Sequence, residues 1–239
     1  MSNLTVISVI ALDKTLDLMV RSVKKFTHPT PRFIFCDNMN GFNNDRIKEL
    51  MSADDDYEIV NNRIKPYTSG SIAHALGLNR VFPMVTTEYT AIVESDVAVL
   101  SEDWYKIQPD FVMKAARKID DLHHVCFIIF KTEKLKDIDF GSGEMIQDQS
   151  QQPHFDVGNQ IRFKVREKQI EQMKFVDCKV NGVLFKDLQC DEFHDQSGKV
   201  LATHFGRGSN IGNKVVREGF ATTEKQRDAW RALIEDKLK

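Results

Sequence analysis

The triplet Glu94-Ser95-Asp96 has the residue types and spacing for chemistry. It follows the apolar run Tyr89 to Val93 directly. Two carboxylates at i and i+2 beyond a strand project to the same side. Like charges so close repel, and a divalent cation would resolve the repulsion while keeping positions open for phosphate oxygens. Oxygen ligands of this kind suit Mn²⁺ or Mg²⁺. A solvated strand-end turn is the alternative. The second candidate is His204-Phe205-Gly206-Arg207-Gly208-Ser209-Asn210. His204 closes a short apolar run and could add a nitrogen ligand to the same metal. The glycines would let backbone N–H groups approach phosphate, Arg207 could grip it bidentately, and Ser209 adds a hydroxyl. A purely structural histidine is the alternative for His204.

These residues need a scaffold that brings strand ends together. Leu4 to Leu12 is continuous, apolar and β-branched, which predicts a buried parallel strand. Asp13 is a candidate helix N-cap, and Thr15 to Phe26 has helical apolar spacing at Leu16, Met19, Val20 and Val23. The pattern continues with a strand over Arg32 to Cys36, a helix over Asn44 to Met51, a strand over Tyr57 to Asn61 and a helix over Ser69 to Pro83, the last carrying Ile72, Leu76 and Leu78. Strands follow at Tyr89 to Val93 and Val97 to Val99. Trp104 to Ile119 reads as a helix and Val125 to Phe130 as a strand. Gly141 to Pro153 is polar and reads as a loop. Val157 to Ile170 reads as a helix, Lys174 to Val183 and Val200 to Phe205 as strands, Gly206 to Asn213 as a loop. Thr222 to Leu238 reads as an amphipathic helix with Trp230, Leu233 and Ile234 on its apolar side.

Alternating strands and helices predict an α/β fold, a mostly parallel sheet with helices on both faces. Ligands of such sheets bind beyond the carboxyl ends of the strands. Asp13, Asp37 and the Glu94–Asp96 triplet all fall there, making one acidic rim.

The 239 residues carry 33 basic and 35 acidic side chains, a net charge of −2. That balance gives no general attraction to nucleic acid or to a membrane. Cys36, Cys126, Cys178 and Cys190 form no C-x-x-C pair and have no zinc-like spacing, so they read as buried thiols in a reducing compartment. No window approaches the roughly 20 apolar residues of a membrane span. The N-terminus lacks the pattern of a signal peptide, and the expected location is the cytoplasm.

Taken in order, these segments resemble a glycosyltransferase of the GT-A fold, similar to family 2 and to small stand-alone bacterial and phage enzymes. The resemblance runs from the N-terminal strand through Cys36-Asp37-Asn38, the helix around His74 to Asn79 and Val93-Glu94-Ser95-Asp96-Val97 to His204 and its glycine-rich tail. It implies one GT-A-like (Rossmann-like) catalytic domain over residues 1–239. About 1–100 would bind a nucleotide-sugar donor, with a UDP-sugar expected. About 101–213 would form the acceptor side and the metal-closing His loop, and 214–239 the C-terminal helix. It implies that Asp96 is the main metal ligand of a DxD-like motif and His204 a second ligand. Glu94 stands where that motif usually has Asp, and would hold the metal, a metal-bound water or the ribose. By position, Leu12, Asp13, Asp37 and Ser95 belong to the donor pocket, with Asp37 on the base or ribose.

The implied reaction moves a sugar to an acceptor hydroxyl, which in an inverting enzyme needs a carboxylate base. Asp156, in Phe155-Asp156-Val157-Gly158-Asn159, is the candidate, with helix capping as its alternative role; Glu144 and Asp148 are rivals. The acceptor would be a glycan or a hydroxymethylated DNA base. For DNA, Arg162, Lys164, Arg166 and Lys168 form a candidate edge, which otherwise is a solvated face. Two other functions remain open. One is a nucleotide-sugar nucleotidyltransferase, although Ala11-Leu12-Asp13-Lys14-Thr15 lacks the glycines of its loop. The other is a non-catalytic nucleotide-sugar binding protein.

Overall fold

Strand β1 (Leu4–Ile10) is buried at every position because both of its faces are covered. The structure is a computed structural model that describes residues 2–11, 14–64, 70–119, 122–141, 146–147, 153–154, 157–205 and 224–239. On one face, Leu4, Val6 and Ile10 join Phe33 and Phe35 of β2 (Arg32–Asp37), α1 (Leu16–Lys25) and Ile47 of α2 (Asn44–Leu50) in one core. On the other face, Ile7 and Val9 join Ile34 and Cys36 in a second core. β3 (Tyr57–Asn61) extends the parallel sheet beyond β2.

α3 (Gly70–Val81) covers the second face with Ala75, Leu78 and Val81, whereas Ile72 and Leu76 are about half exposed. The helix lies close to the sheet because Gly77 has no side chain there. A Cβ at Gly77 would sit 2.6 Å from Val9 Cγ1 and 3.2 Å from Asn38 Oδ1.

β4 (Tyr89–Val93) pairs with β1 in parallel, and β5 (Val97–Val99) leaves in a new direction after the acidic triplet. β6 (Met113–Ile119) and β7 (Leu122–Lys131) form an antiparallel hairpin that docks on β4. β8 (Ile146–Gln147) and β9 (Pro153–His154) pair separately within the stretch expected to be a loop. α4 (Ile161–Lys164) leads to β10 (Ile170–Asp177), then α5 (Cys178–Asn181), β11 (Asp191–His194), β12 (Val200–His204) and α6 (Glu224–Lys237). The main sheet runs β3-β2-β1-β4-β7-β6-β10-β11-β12-β5. β10 divides its length: Ile170–Met173 pair with β6 in parallel and Lys174–Asp177 with β11 antiparallel. The β11–β12–β5 ribbon thereby folds back to the Glu94–Asp96 turn. This is the expected α/β architecture with helices on both faces, parallel through β3-β2-β1-β4 and largely antiparallel beyond.

Further stretches differ from the sequence expectation. Trp104 to Ile119 is not a helix: turns around Gln108-Pro109-Asp110 precede β6. Met-Lys-Ala-Ala-Arg-Lys has helix-forming residues, but pairing on both edges overrides that weak preference. Buried Lys114 is satisfied by the carbonyls of Asp103 and Lys106 and by Glu171. Val157 to Ile170 holds only α4 and a 3₁₀ turn over Glu167–Gln169. The strand placed at Lys174 to Val183 starts and ends earlier, as β10, and turns into α5. β11, Asp-Glu-Phe-His, has no apolar run to reveal it, yet it is central to the ribbon.

α6 buries Trp230 and Ile234, while Leu233 is exposed. It is clamped to α1 by two bidentate pairs, Arg231 to Asp17 (2.9 and 2.7 Å) and Arg21 to Glu235 (2.7 and 2.8 Å). All four cysteines are free and buried, as expected. Among the described residues no helix is long and apolar enough to cross a membrane.

Candidate active site

The β4 ladder continues one residue past the strand, where Glu94 N–H donates to Cys126 C=O. The chain then turns, with Val97 N–H donating to Glu94 C=O. Thr15, the residue before α1, donates its hydroxyl to Ser95 C=O at 2.8 Å and ties the turn to the helix start. On the far side, β12 lies antiparallel to β5 with His204 opposite Val97, and Phe205 N–H donates to Asp96 C=O. Backbone pairing therefore delivers a residue from late in the chain to the acidic turn.

The result is one cluster. Ligand-capable atoms of Glu94, Asp96 and His204 all lie within 4.8 Å of one another. His204 Nε2 is 3.4 Å from Asp96 Oδ1, and His204 Nδ1 is 3.5 Å from Asp191 Oδ2. Glu94 Oε1 is 3.1 Å from His74 Nδ1 on α3. The cluster lines a cavity of about 350 Å³, closed on other sides by Val9, Asn38, Cys126 and Val157.

The electrostatics follow from crowding charges in a half-buried site. Burial pulls the His204 imidazole down, but Cys126, if ionised, and the carboxylates of Asp96 and Asp191 push it up, and its pKa stands well above the ordinary value. Burial pushes the Cys126 thiol up to about 12, the neighbouring carboxylates adding to that against the opposing pull of His204. Cys126 therefore stays protonated near neutrality, which leaves the carboxylates of Asp96 and Asp191 as the groups that raise His204. Two carboxylates and one imidazole, with no thiolate among them, are a donor set that fits Mn²⁺ or Mg²⁺.

Of the residues singled out in the sequence, Glu94, Ser95, Asp96 and His204 come together here. Asp37 does not present a free oxygen. Its buried carboxylate accepts from the backbone N–H of Met39 (2.9 Å), Gly41 (2.8 Å) and Asn43 (3.1 Å) and from Asn43 Nδ2 (2.8 Å). It shapes the loop after β2, in which Asn40 and Gly41 take positive φ. The neighbouring Asn38 is the one that lines the cavity, held by Ala73 C=O and Asn62. Leu12, Asp13, Glu144, Asp148, Asp156, Arg207 and Ser209 lie outside the described residues. The proposed basic edge is mostly solvent-facing: Lys164, Arg166 and Lys168 are exposed and Arg162 is half-buried.

Sequence reasoning gave no role to His74, Asn38 or Asp191. His74 had a signal, because it stands on the cavity-side helix of the resemblance. Asp191 had none, since only the β11–β12 register brings it beside His204.

No protein-family model matches the sequence, and no curated protein does. Solved glycosyltransferases match in fold. GlyE of Streptococcus pneumoniae TIGR4 superposes with a TM-score of 0.51 at 11% identity, covering 97% of this chain and 62% of its own. Mannosyltransferase PcManGT from Pyrobaculum calidifontis, solved with GDP-Man and Mn²⁺, gives 0.46 at 13% identity over 56% of this chain and 46% of its own. Glucosyl-3-phosphoglycerate synthase from Mycobacterium tuberculosis gives 0.48 at 9% identity over 72% of this chain and 69% of its own. The chain spans less than two thirds of the length of GlyE and of the mannosyltransferase. At these identities the likeness concerns the fold, and the match to GlyE carries it: this chain has the GT-A fold of glycosyltransferases.

Proposed function

We propose that the protein is a metal-dependent glycosyltransferase that moves a sugar from a nucleotide-sugar donor to an acceptor hydroxyl. The observation that carries this is the Glu94/Asp96/His204 cluster at the end of β4, facing a cavity of about 350 Å³. Asp96 and His204 would hold Mn²⁺ or Mg²⁺. Glu94 would hold the ion or one of its waters, its carboxylate steadied by His74. When bound, the ion offsets the charge that develops on a nucleoside diphosphate leaving group.

The chain's own residues do the rest. Ser95 and Asn38, which line the cavity, would contact the donor. Asp37 contributes by shaping the β2 loop rather than by touching the base. Leu12, Asp13, Arg207 and Ser209 are retained as donor-side residues on sequence grounds. Asp156 is proposed as the base that takes the acceptor proton. The next residue, Val157, is buried in the cavity wall. A UDP-sugar is the proposed donor and a glycan or a hydroxymethylated DNA base the proposed acceptor; Lys164, Arg166 and Lys168 offer exposed positive charge for the latter.

The test is thermal stabilisation by UDP and GDP, each with and without Mn²⁺. Stabilisation that needs both nucleotide and metal supports the assignment. A nucleoside diphosphate that stabilises equally in EDTA, or none that stabilises at all, contradicts it.

A further inference from the structure

Asp191 begins β11, which lies between β10 and β12. Its cross-strand partner on one side is His204 and on the other Asp177, which caps α5 by accepting from Lys179 N–H. The main chain at Asp191 is fixed by both ladders and by a third contact. Thr203 Oγ1 donates to Asp191 C=O at 3.0 Å, and that hydroxyl accepts from Trp230 Nε1 at 3.0 Å. Trp230 is fully buried, so α6 buttresses the strand pair from behind.

The next residue, Glu192, is on the opposite face of the strand. It accepts from the N–H groups of Val183, Leu184 and Phe185 and contacts His194 Nε2 at 2.6 Å. Of the two acids at the start of β11, Asp191 alone stands beside His204. It does not line the cavity, and its carboxylate is not part of the Glu94/Asp96/His204 cluster. It meets the imidazole from the rear, 3.5 Å from Nδ1, while Nε2 points to Asp96.

We propose that Asp191 is a positioning residue that sets the tautomer and orientation of His204. This rests on the metal site proposed above. A proton on Nδ1 directed at the Asp191 carboxylate leaves the Nε2 lone pair for the ion beside Asp96. The reversed ring would put a C–H against a carboxylate and turn the lone pair away from the cavity. A carboxylate behind a ligating histidine also raises its basicity, and loss of such a partner commonly weakens metal binding about 10–100-fold.

The experiment is Mn²⁺ binding to the full chain, followed by paramagnetic resonance and without any sugar donor. Asp191→Ala is expected to weaken Mn²⁺ binding about 10–100-fold. Asp191→Asn, which keeps an oxygen able to accept from Nδ1–H, should weaken it less than about tenfold. In a His204→Ala background, Asp191→Ala should have no further effect, because the two residues act as one unit. Should Asp191→Ala not fold, ¹⁵N-histidine spectra of the Mg²⁺-loaded wild type decide the matter, with His204 predicted to carry its proton on Nδ1. Unchanged affinity in Asp191→Ala, an equal loss in the His204→Ala background, or a proton on Nε2 in the loaded protein overturns the inference alone. A wild type that binds no Mn²⁺ overturns the metal site beneath it.

Discussion

His204 Nε2 stands 3.4 Å from Asp96 Oδ1 because the β5–β12 register sets His204 opposite Val97 and Phe205 N–H bonds to Asp96 C=O. A carboxylate and an imidazole from distant parts of the chain are thus joined by main-chain geometry, not by flexible side-chain reach. Asp96 is only 6% exposed, so alanine would leave a polar hole. Asp96→Asn is the cleaner variant. It should fold, and it should lose the stabilisation that metal and nucleotide give the wild type, about 2.7 kcal/mol at a hundredfold excess over Kd. Melting curves with and without Mn²⁺ and UDP check this, and an unchanged ligand shift would remove Asp96 from the metal site.

Metal affinity should rise with pH across the imidazole range. The pKa of His204 stands above its ordinary value, so the site without metal holds a proton that the ion must displace. Because the folded value exceeds the unfolded one, this pair stabilises the metal-free protein below the ordinary histidine range and loses that contribution as pH rises through the raised value. Calorimetry in buffers of different ionisation enthalpy should show proton release on Mn²⁺ binding near neutrality. Binding with no proton release and no pH dependence would mean that His204 is not a ligand.

His74→Ala should weaken metal binding by about tenfold while leaving the sheet intact, since it removes the partner that steadies Glu94. His74→Gln, which can still donate to the carboxylate, should recover part of the loss. Equal effects of the two variants would make the His74–Glu94 contact incidental.

The clamp between α6 and α1 gives a stability prediction independent of catalysis. Asp17 is largely buried; burial pushes its carboxyl up, but its bonds to Arg231 outweigh that and hold it below the ordinary value. Arg231→Ala should cost about 2–3 kcal/mol, because it strands a buried carboxylate. With a folded value below the unfolded one, the wild-type contribution is present above the ordinary carboxylate range and lost as pH falls through the lowered value. The difference between wild type and variant should therefore shrink in acid. Urea unfolding at two pH values tests both points, and a difference that grows in acid would be wrong in sign.

Asp156→Asn should lower turnover at least about 100-fold, the scale for losing a general base, and leave donor affinity within about threefold. Near-normal turnover would return the residue to a capping role.

Much of the N-terminal half was legible in the sequence. Its strands are buried on both faces, so Leu4 to Ile10, Tyr89 to Val93 and Val97 to Val99 read as uninterrupted apolar runs with acids at their ends. The second half was less legible for the same physical reason. β6 is rich in alanine and lysine, and β11 is Asp-Glu-Phe-His. Both are strands because of what they pair with, and no local preference records that. Glu94, Asp96 and His204 were recognisable as chemistry, whereas Asp191 was invisible without the register that sets it opposite His204. Asp37 carries a role the sequence did not announce: an acid after a strand reads as a ligand contact, and its oxygens accept hydrogen bonds from its own loop.

The proposed chemistry is metal-assisted sugar transfer at Glu94, Asp96 and His204. Its most direct measurement is release of free UDP from a panel of UDP-sugars, comparing wild type with Asp96→Asn, in Mn²⁺ and in excess EDTA. Release from at least one donor by the wild type in Mn²⁺ is expected, abolished by EDTA and reduced at least about 100-fold in Asp96→Asn. Release that persists undiminished in EDTA, or that Asp96→Asn supports at the wild-type rate, would contradict it.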